Sequence, residues 1–234
     1  MMKKIAVIAL TFICLNVFAQ KHLIGVKSGL NFSNIYNDNS GTKYEYQTGL
    51  SGGLTYELFF KKNFSLGLDI IYNERGFKRD IYPTLNNGTP TGEKIAESYN
   101  NNYFSIPIKV GYTYGRKVFG FVNFGICPSF LINAKASAIY FDKNGNNAGS
   151  ETKDFTERVL KVDLAILSDV GLGYKLKNKY YFYTSVSNQT SFGPIYNTTF
   201  STNEEIKNFG YIFSVGVKVN LGKQEDKQKT NKTK

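Results

Sequence analysis

Few side chains in this sequence are placed to do chemistry. His22 is the sole histidine and stands near the start of the chain. A serine or aspartate nucleophile needs a neighbouring base, and His22 offers none to the later segments that carry most of the Ser and Asp residues. Asp142-Lys143-Asn144-Gly145-Asn146 sets oxygen ligands at alternate positions, as a calcium loop does. It lacks the downstream bidentate Glu and has its Gly in the wrong place, so it reads as a flexible Asn/Gly turn. Gly88-Thr89-Pro90-Thr91-Gly92-Glu93-Lys94 lacks the Gly-Lys-Ser/Thr of a phosphate loop. No catalytic, cofactor-binding or metal-ligating residue is assigned. The remaining pattern is eight charges set among small polar residues: Lys27, Glu57, Asp69, Arg75, Lys109, Asp163, Asp169 and Lys218. Both signs in such positions point to ion pairing in a confined space.

The elements that hold these charges are strands. From Tyr103 to Ile132, Phe104, Ile106, Ile108, Val110 and Tyr112 share one face in steps of two. After a turn at Tyr114-Gly115-Arg116-Lys117, Val118, Val122, Phe124, Ile126, Phe130 and Ile132 do the same. Period-two alternation around a tight Gly turn predicts a β-hairpin, and each arm has the length of a tilted bilayer-crossing strand. Further strands are predicted at Leu23–Ser33, Gln47–Leu58, Phe64–Gly76, Val159–Leu176, Tyr180–Gln189 and Lys207–Leu221. Ile71 and Ile212 are misfits, and Tyr180–Gln189 has an ambiguous register because aromatics occupy both of its faces. Between strands, Asn34–Tyr46, Phe77–Asn101, Asn133–Arg158 and Thr190–Ile206 read as long polar loops. Lys61–Asn63, Tyr114–Lys117 and Lys177–Lys179 read as short turns. Connections that alternate long and short predict an all-β fold: an eight-stranded antiparallel up-and-down transmembrane β-barrel with short periplasmic turns and long outer loops.

Composition agrees with that architecture. Among 234 residues there are 17 Tyr, 19 Phe, 22 Gly and no Trp. Mean hydropathy is −0.29, too low for a helical membrane protein but ordinary for a barrel with a polar interior. The formal charge of +11 accompanies no nucleic-acid recognition motif. Met1-Met2-Lys3-Lys4, an apolar run from Ile5 to Val17 and Val17-Phe18-Ala19 form a secretory signal. The predicted organisation is a signal peptide at 1–19, a barrel at 20–221 and a lysine-rich disordered tail at 222–234. Removal of the leader takes away Lys3, Lys4 and Cys14. Cys127 is then alone, and no intramolecular disulfide can form.

Alternation by itself leaves open which face looks inward. In a soluble barrel the apolar face fills the core, whereas in a membrane barrel it meets lipid. Eight strands leave an interior just wide enough for side chains. Glycines, serines and charges of both signs fill such an interior only if the charges pair, since an unpaired buried charge is costly. The expectation is therefore ion pairs across the lumen and no continuous channel. A soluble periplasmic lipocalin-like ligand-binding barrel is the competing reading. The loop aromatics Tyr44, Tyr46, Tyr82, Tyr140 and Phe141 are read as an upper aromatic girdle.

Phe104-Ser105-Ile106-Pro107-Ile108 is similar to the aromatic/Leu–Glu–Ile–Pro–Leu strand of the PorT-like outer-membrane β-barrel family of Bacteroidetes type. Phe121–Phe130 (FVNFGICPSF) resembles that family's following strand, and Gly25-Val26-Lys27-Ser28-Gly29-Leu30-Asn31 resembles its opening one. The chain departs from such proteins by ending its last strand at Leu221 and continuing into a tail. The resemblance implies an outer-membrane barrel but no particular activity; some members serve type IX secretion. The expected role is an integral outer-membrane protein, structural or interactive, without catalysis, cofactor or open pore. The alternative is an accessory component of type IX protein secretion. Expected partners are outer-membrane lipid and lipopolysaccharide, with a protein partner possible through the outer loops. No nucleic-acid partner is expected, and the protein is expected to be a monomer.

Overall fold

The computed structural model describes residues 21–36, 43–177, 179–196 and 206–222. The leader 1–19 lies outside these residues, as does the tail except for Gly222. The described residues form ten strands: β1 Lys21–Tyr36, β2 Tyr44–Phe59, β3 Phe64–Ile81, β4 Lys94–Ser105, β5 Ile108–Gly115, β6 Val118–Phe141, β7 Asn147–Asp154, β8 Val162–Leu176, β9 Tyr180–Ser191 and β10 Lys207–Asn220. All of their pairings are antiparallel.

These strands form a closed ring with eight staves. β4 and β5 are one stave, since both lie between β3 and β6. The stave is interrupted at Ile106-Pro107 because proline has no N–H to give to the ladder. The carbonyl of Pro107 still accepts from Asp69 N at 3.0 Å. β7 stands outside the ring as a hairpin partner of β6. Closure is made by β1 against β10, from Leu23↔Asn220 to Tyr36↔Lys207. A lipid-exposed sheet edge would leave its N–H and C=O groups without partners, and closure removes that edge.

The alternation also fixes which way each face looks. Ile24, Val26, Leu54, Leu68, Val110, Phe124, Val170, Phe213 and Val215 are exposed on the outer wall. Asp69, Asn73, Ser105 and Ser129 are fully buried inside. Oily residues on the outside of a closed barrel suit a hydrocarbon surround, and the soluble lipocalin reading falls with them. The misfits Ile71 and Ile212 keep the strand parity and point inward, at 2% and 4% exposure.

The expected loops at Phe77–Asn101 and Asn133–Arg158 are corrected. The β3–β4 ladder continues to Ile81↔Ile95, β6 continues to Phe141, and β7 adds a fourth strand to this outer sheet. Beyond the bilayer neither face must be apolar, so the ladder persists without any period-two signal. β7 is exposed at every residue. The expected start of a strand at Val159 is also corrected: Thr156–Arg158 is a single 3-10 turn, and β8 begins at Val162.

Candidate functional site

The lumen is filled in three tiers. At the outer mouth Ile35, Phe77, Ala134, Val159 and Ile195 form an apolar plug, with Tyr44, Tyr99, Phe155 and Tyr196 against it. Tyr99 stacks on Phe77 with centroids 4.5 Å apart. Tyr44 therefore belongs to this plug and not to the girdle expected for it. Phe155 and Ile195 come from the connections before β8 and after β9, so the described parts of these connections fold inward over the lumen.

The middle tier holds the charges. Lys27 Nζ and Lys109 Nζ both reach Asp69 Oδ2, at 2.8 and 2.6 Å. Thr55 Oγ1 donates to the other oxygen of Asp69 at 2.7 Å. Arg75 Nη1 meets Asp163 Oδ2 at 2.6 Å, while its Nη2 donates to Gln189 Oε1 at 2.7 Å and to Ser129 Oγ at 3.1 Å. Lower down, Lys218 Nζ lies 2.8 Å from Glu57 Oε2, and Ser65 Oγ donates to Glu57 Oε1 at 2.7 Å. Asp169 has no cation within ion-pair distance among the described residues. It accepts from Asn123 Nδ2 and Ser187 Oγ, both at 2.9 Å. The four cations and four carboxylates thus balance in charge, with Asp69 shared by two lysines and Asp169 held by neutral donors.

The sequence did not single out the neutral partners Thr55, Ser129, Ser187 and Gln189. Their signal was parity: Ser185, Ser187, Gln189 and Ser191 all face inward on β9. An interior aromatic group was missed as well. Phe119, Phe121, Tyr181 and Tyr183 are buried together with Leu23 and Phe59. Their signal lay across the ladder, where Phe119 faces Gly173, Phe121 faces Gly171 and Tyr183 faces Gly216. A ring beside a cross-strand glycine covers the vacant position.

Below this aromatic group the barrel opens at its turn end as a vestibule of about 1020 Å³. Its walls are Leu23, Phe59, Phe119, Phe121, Tyr181 and Tyr183, and its inner end is the Lys218–Glu57 pair. His22 stands near this end of the barrel, with Nδ1 2.8 Å from the Tyr56 hydroxyl. At the opposite tip, Asp142 accepts from Asn144 N and Asn146 N, each at 2.8 Å. The hydrogen bonds from Asn146 N and then its side chain hold the Asp142 carboxyl below its ordinary value. The loop thereby uses the oxygens that a calcium ion would need. Asp154 is lowered in the same way by Thr156 N.

A family model described as "Outer membrane protein beta-barrel domain" matches residues 18–228. The chain belongs to that family. Outer-membrane residence follows at the level of the family, and the fold rests on this match together with the closed strand ring. No curated protein matches the sequence. Among solved structures, a major outer membrane protein from Thermus thermophilus is similar at 12% identity and TM-score 0.43, over 87% of this chain and 100% of that one. OprG from Pseudomonas aeruginosa is similar at 12% identity and TM-score 0.41, over 87% and 96%. Neisserial surface protein A is similar at 11% identity and TM-score 0.41, over 84% and 96%. Likenesses this distant carry no argument about what this family member binds or does.

Proposed function

We propose that this barrel is a non-catalytic, non-conducting outer-membrane module whose working surfaces are its two ends. The observation that carries the reading is the filled lumen: among the described residues, an apolar plug stands above a paired charge network. Two features support it further. The outer sheet of β3, β4, β6 and β7 ends in the polar edge strand β7, exposed at every residue, the kind of edge a protein partner can address. His22 lies near the turn end and bonds to Tyr56, away from the outer loops. Within the family we place the chain with PorT-like members on the strength of Phe104–Ile108 and Gly25–Asn31, and we take residues 1–19 as its cleavable export leader.

Planar-bilayer recording on the purified barrel tests the closed lumen. The expected result is no steady conductance above the bare bilayer, whereas a stable ohmic step in every insertion would overturn the reading. Fractionation of cells tests the location and the leader together. The protein should appear in the detergent-resistant outer-membrane fraction with heat-modifiable mobility, and with an N-terminus at Gln20.

A further inference from the structure

The vestibule at the turn end has a lining that neither strand closure nor lumen filling requires. Seven of its lining residues are cationic, namely Lys21, Lys62, Arg116, Lys117, Lys175, Lys177 and Lys218, against a single carboxylate, Glu57. That carboxylate is already engaged by Lys218 at 2.8 Å. The charge balance seen in the middle tier is therefore broken here.

Two of these lysines differ from the others at the rim. Lys21 Nζ lies 4.4 Å from the centroid of Phe59 and 4.1 Å from that of Tyr181. Lys175 Nζ lies 5.3 Å from Phe119 and 5.6 Å from Tyr181. These three rings are among the buried residues that line the lumen. Both ammonium groups are thus held at the mouth over interior rings and are not extended toward headgroups. Among the described residues neither has a carboxylate within ion-pair distance. Rings favour cations on their faces, but ring contacts leave N–H donors unspent. Two preplaced ammoniums above an aromatic floor, ringed by further cations, form a focused positive potential.

We propose that this vestibule binds a soluble polyanion: a compact organic molecule bearing two or more phosphate, sulfonate or carboxylate groups. Lys21 and Lys175 would take the anionic groups, and the rim residues Arg116 and Lys117 would draw the molecule in. The size agrees, since the space matches the upper range of small-molecule sites, roughly 300–1,000 Å³. The inference adds a ligand to the closed barrel proposed above. Gel mobility and conductance report the barrel, while ligand titration reports the vestibule, so the two can fail separately.

The experiment is a fluorescence-anisotropy titration of the folded barrel, in a non-ionic detergent, with the aromatic polyanion pyrenetrisulfonate, followed by competition with inositol hexakisphosphate. Saturable binding that weakens as salt rises is expected, because exposed charges are screened. The variant carrying Lys21→Gln and Lys175→Gln should bind at least about tenfold more weakly, from the loss of two charge-assisted contacts. The variant with Lys21→Arg and Lys175→Arg should keep the affinity. Lys143→Gln with Lys153→Gln, at the opposite tip, should match wild type. Non-saturable binding would overturn the proposal, as would a Gln pair that folds with normal heat-modifiable mobility and binds like wild type. An equal loss in the opposite-tip variant would mean a general charge effect and would also overturn it.

Discussion

Asp69→Asn is the most demanding substitution for this structure. Asp69 is 0% exposed and is the shared partner of Lys27 at 2.8 Å and Lys109 at 2.6 Å. The Asn amide keeps the shape, and its oxygen can still accept from Thr55, so packing and that hydrogen bond survive. The change therefore isolates charge. It leaves two ammonium groups facing each other in the lumen with no carboxylate between them. Breaking one buried pair costs about 3–5 kcal/mol; with one carboxylate serving two cations, the loss should fall in the upper part of that range. That is roughly three to four powers of ten in the folded-to-unfolded ratio. Adding Lys109→Met restores the balance of cations and carboxylates among the eight charges, and should recover at least half of the loss. The protein has no Trp, so urea titration in lipid vesicles is best read by far-UV circular dichroism and by the folded band on unheated gels. A loss below about 1 kcal/mol for Asp69→Asn would place these residues in contact with water. A double variant as unstable as the sum of its singles would show that the two sites do not interact. Either result refutes the paired-lumen account.

Three other expectations follow from the same structure. A side chain at Gly171 would run into the Phe121 ring and the Thr184 carbonyl, so Gly171→Val should cost about 1–3 kcal/mol by overpacking. Phe121→Ala in the same chain should return part of it, as read by refolding yield. Val215 is 64% exposed on the outer wall near the middle of β10, so Val215→Arg should lower vesicle stability by about 2–4 kcal/mol if it sits at the bilayer midplane. Asp142 has its folded-state value depressed by bonds from Asn146. Its contribution to the loop is therefore present above the ordinary carboxylate value and is lost as pH falls through the lower folded value. Amide exchange at Asn144 and Asn146, followed as pH is lowered, should accelerate only below the ordinary carboxylate range; acceleration already near neutrality would contradict it.

The sequence carried the ring because a bilayer imposes alternation wherever a strand crosses it. Val26 and Val215 declare a face only because their neighbours are Gly, Ser or Lys. The same physics hid the outer sheet: β7 is exposed at every residue and residues 94–100 of β4 are half-buried on both faces, so nothing selects a period and the stretch reads as loop. Parity placed the eight charges on strand faces, but it did not choose partners. Whether Arg75 meets Asp163, or Lys27 and Lys109 share Asp69, depends on stagger between staves that lie far apart in sequence. The aromatic group above the vestibule was hidden for a further reason. Phe119 and Tyr181 look like ordinary apolar-face residues until their parity is counted against Val118 and Phe182, and until Gly171, Gly173 and Gly216 are set beside them across the ladder. The break at Ile106-Pro107 needed the register of β3, which places Asp69 N against the Pro107 carbonyl.

The central claim is that the oily face meets lipid while the polar face fills the tube, and Ile71 and Ile212 provide its internal control. Both are isoleucines in crossing strands, yet both point inward, whereas Ile70, next to Ile71, and Ile24 on β1 point outward. Methyl-labelled barrel in lipid nanodiscs, probed for magnetisation transfer from acyl-chain protons, distinguishes them directly. The account predicts strong transfer to the methyls of Ile24, Ile70, Val26 and Val215 and none to Ile71 and Ile212. Transfer to Ile71 and Ile212, with Val26 and Val215 silent, would contradict it.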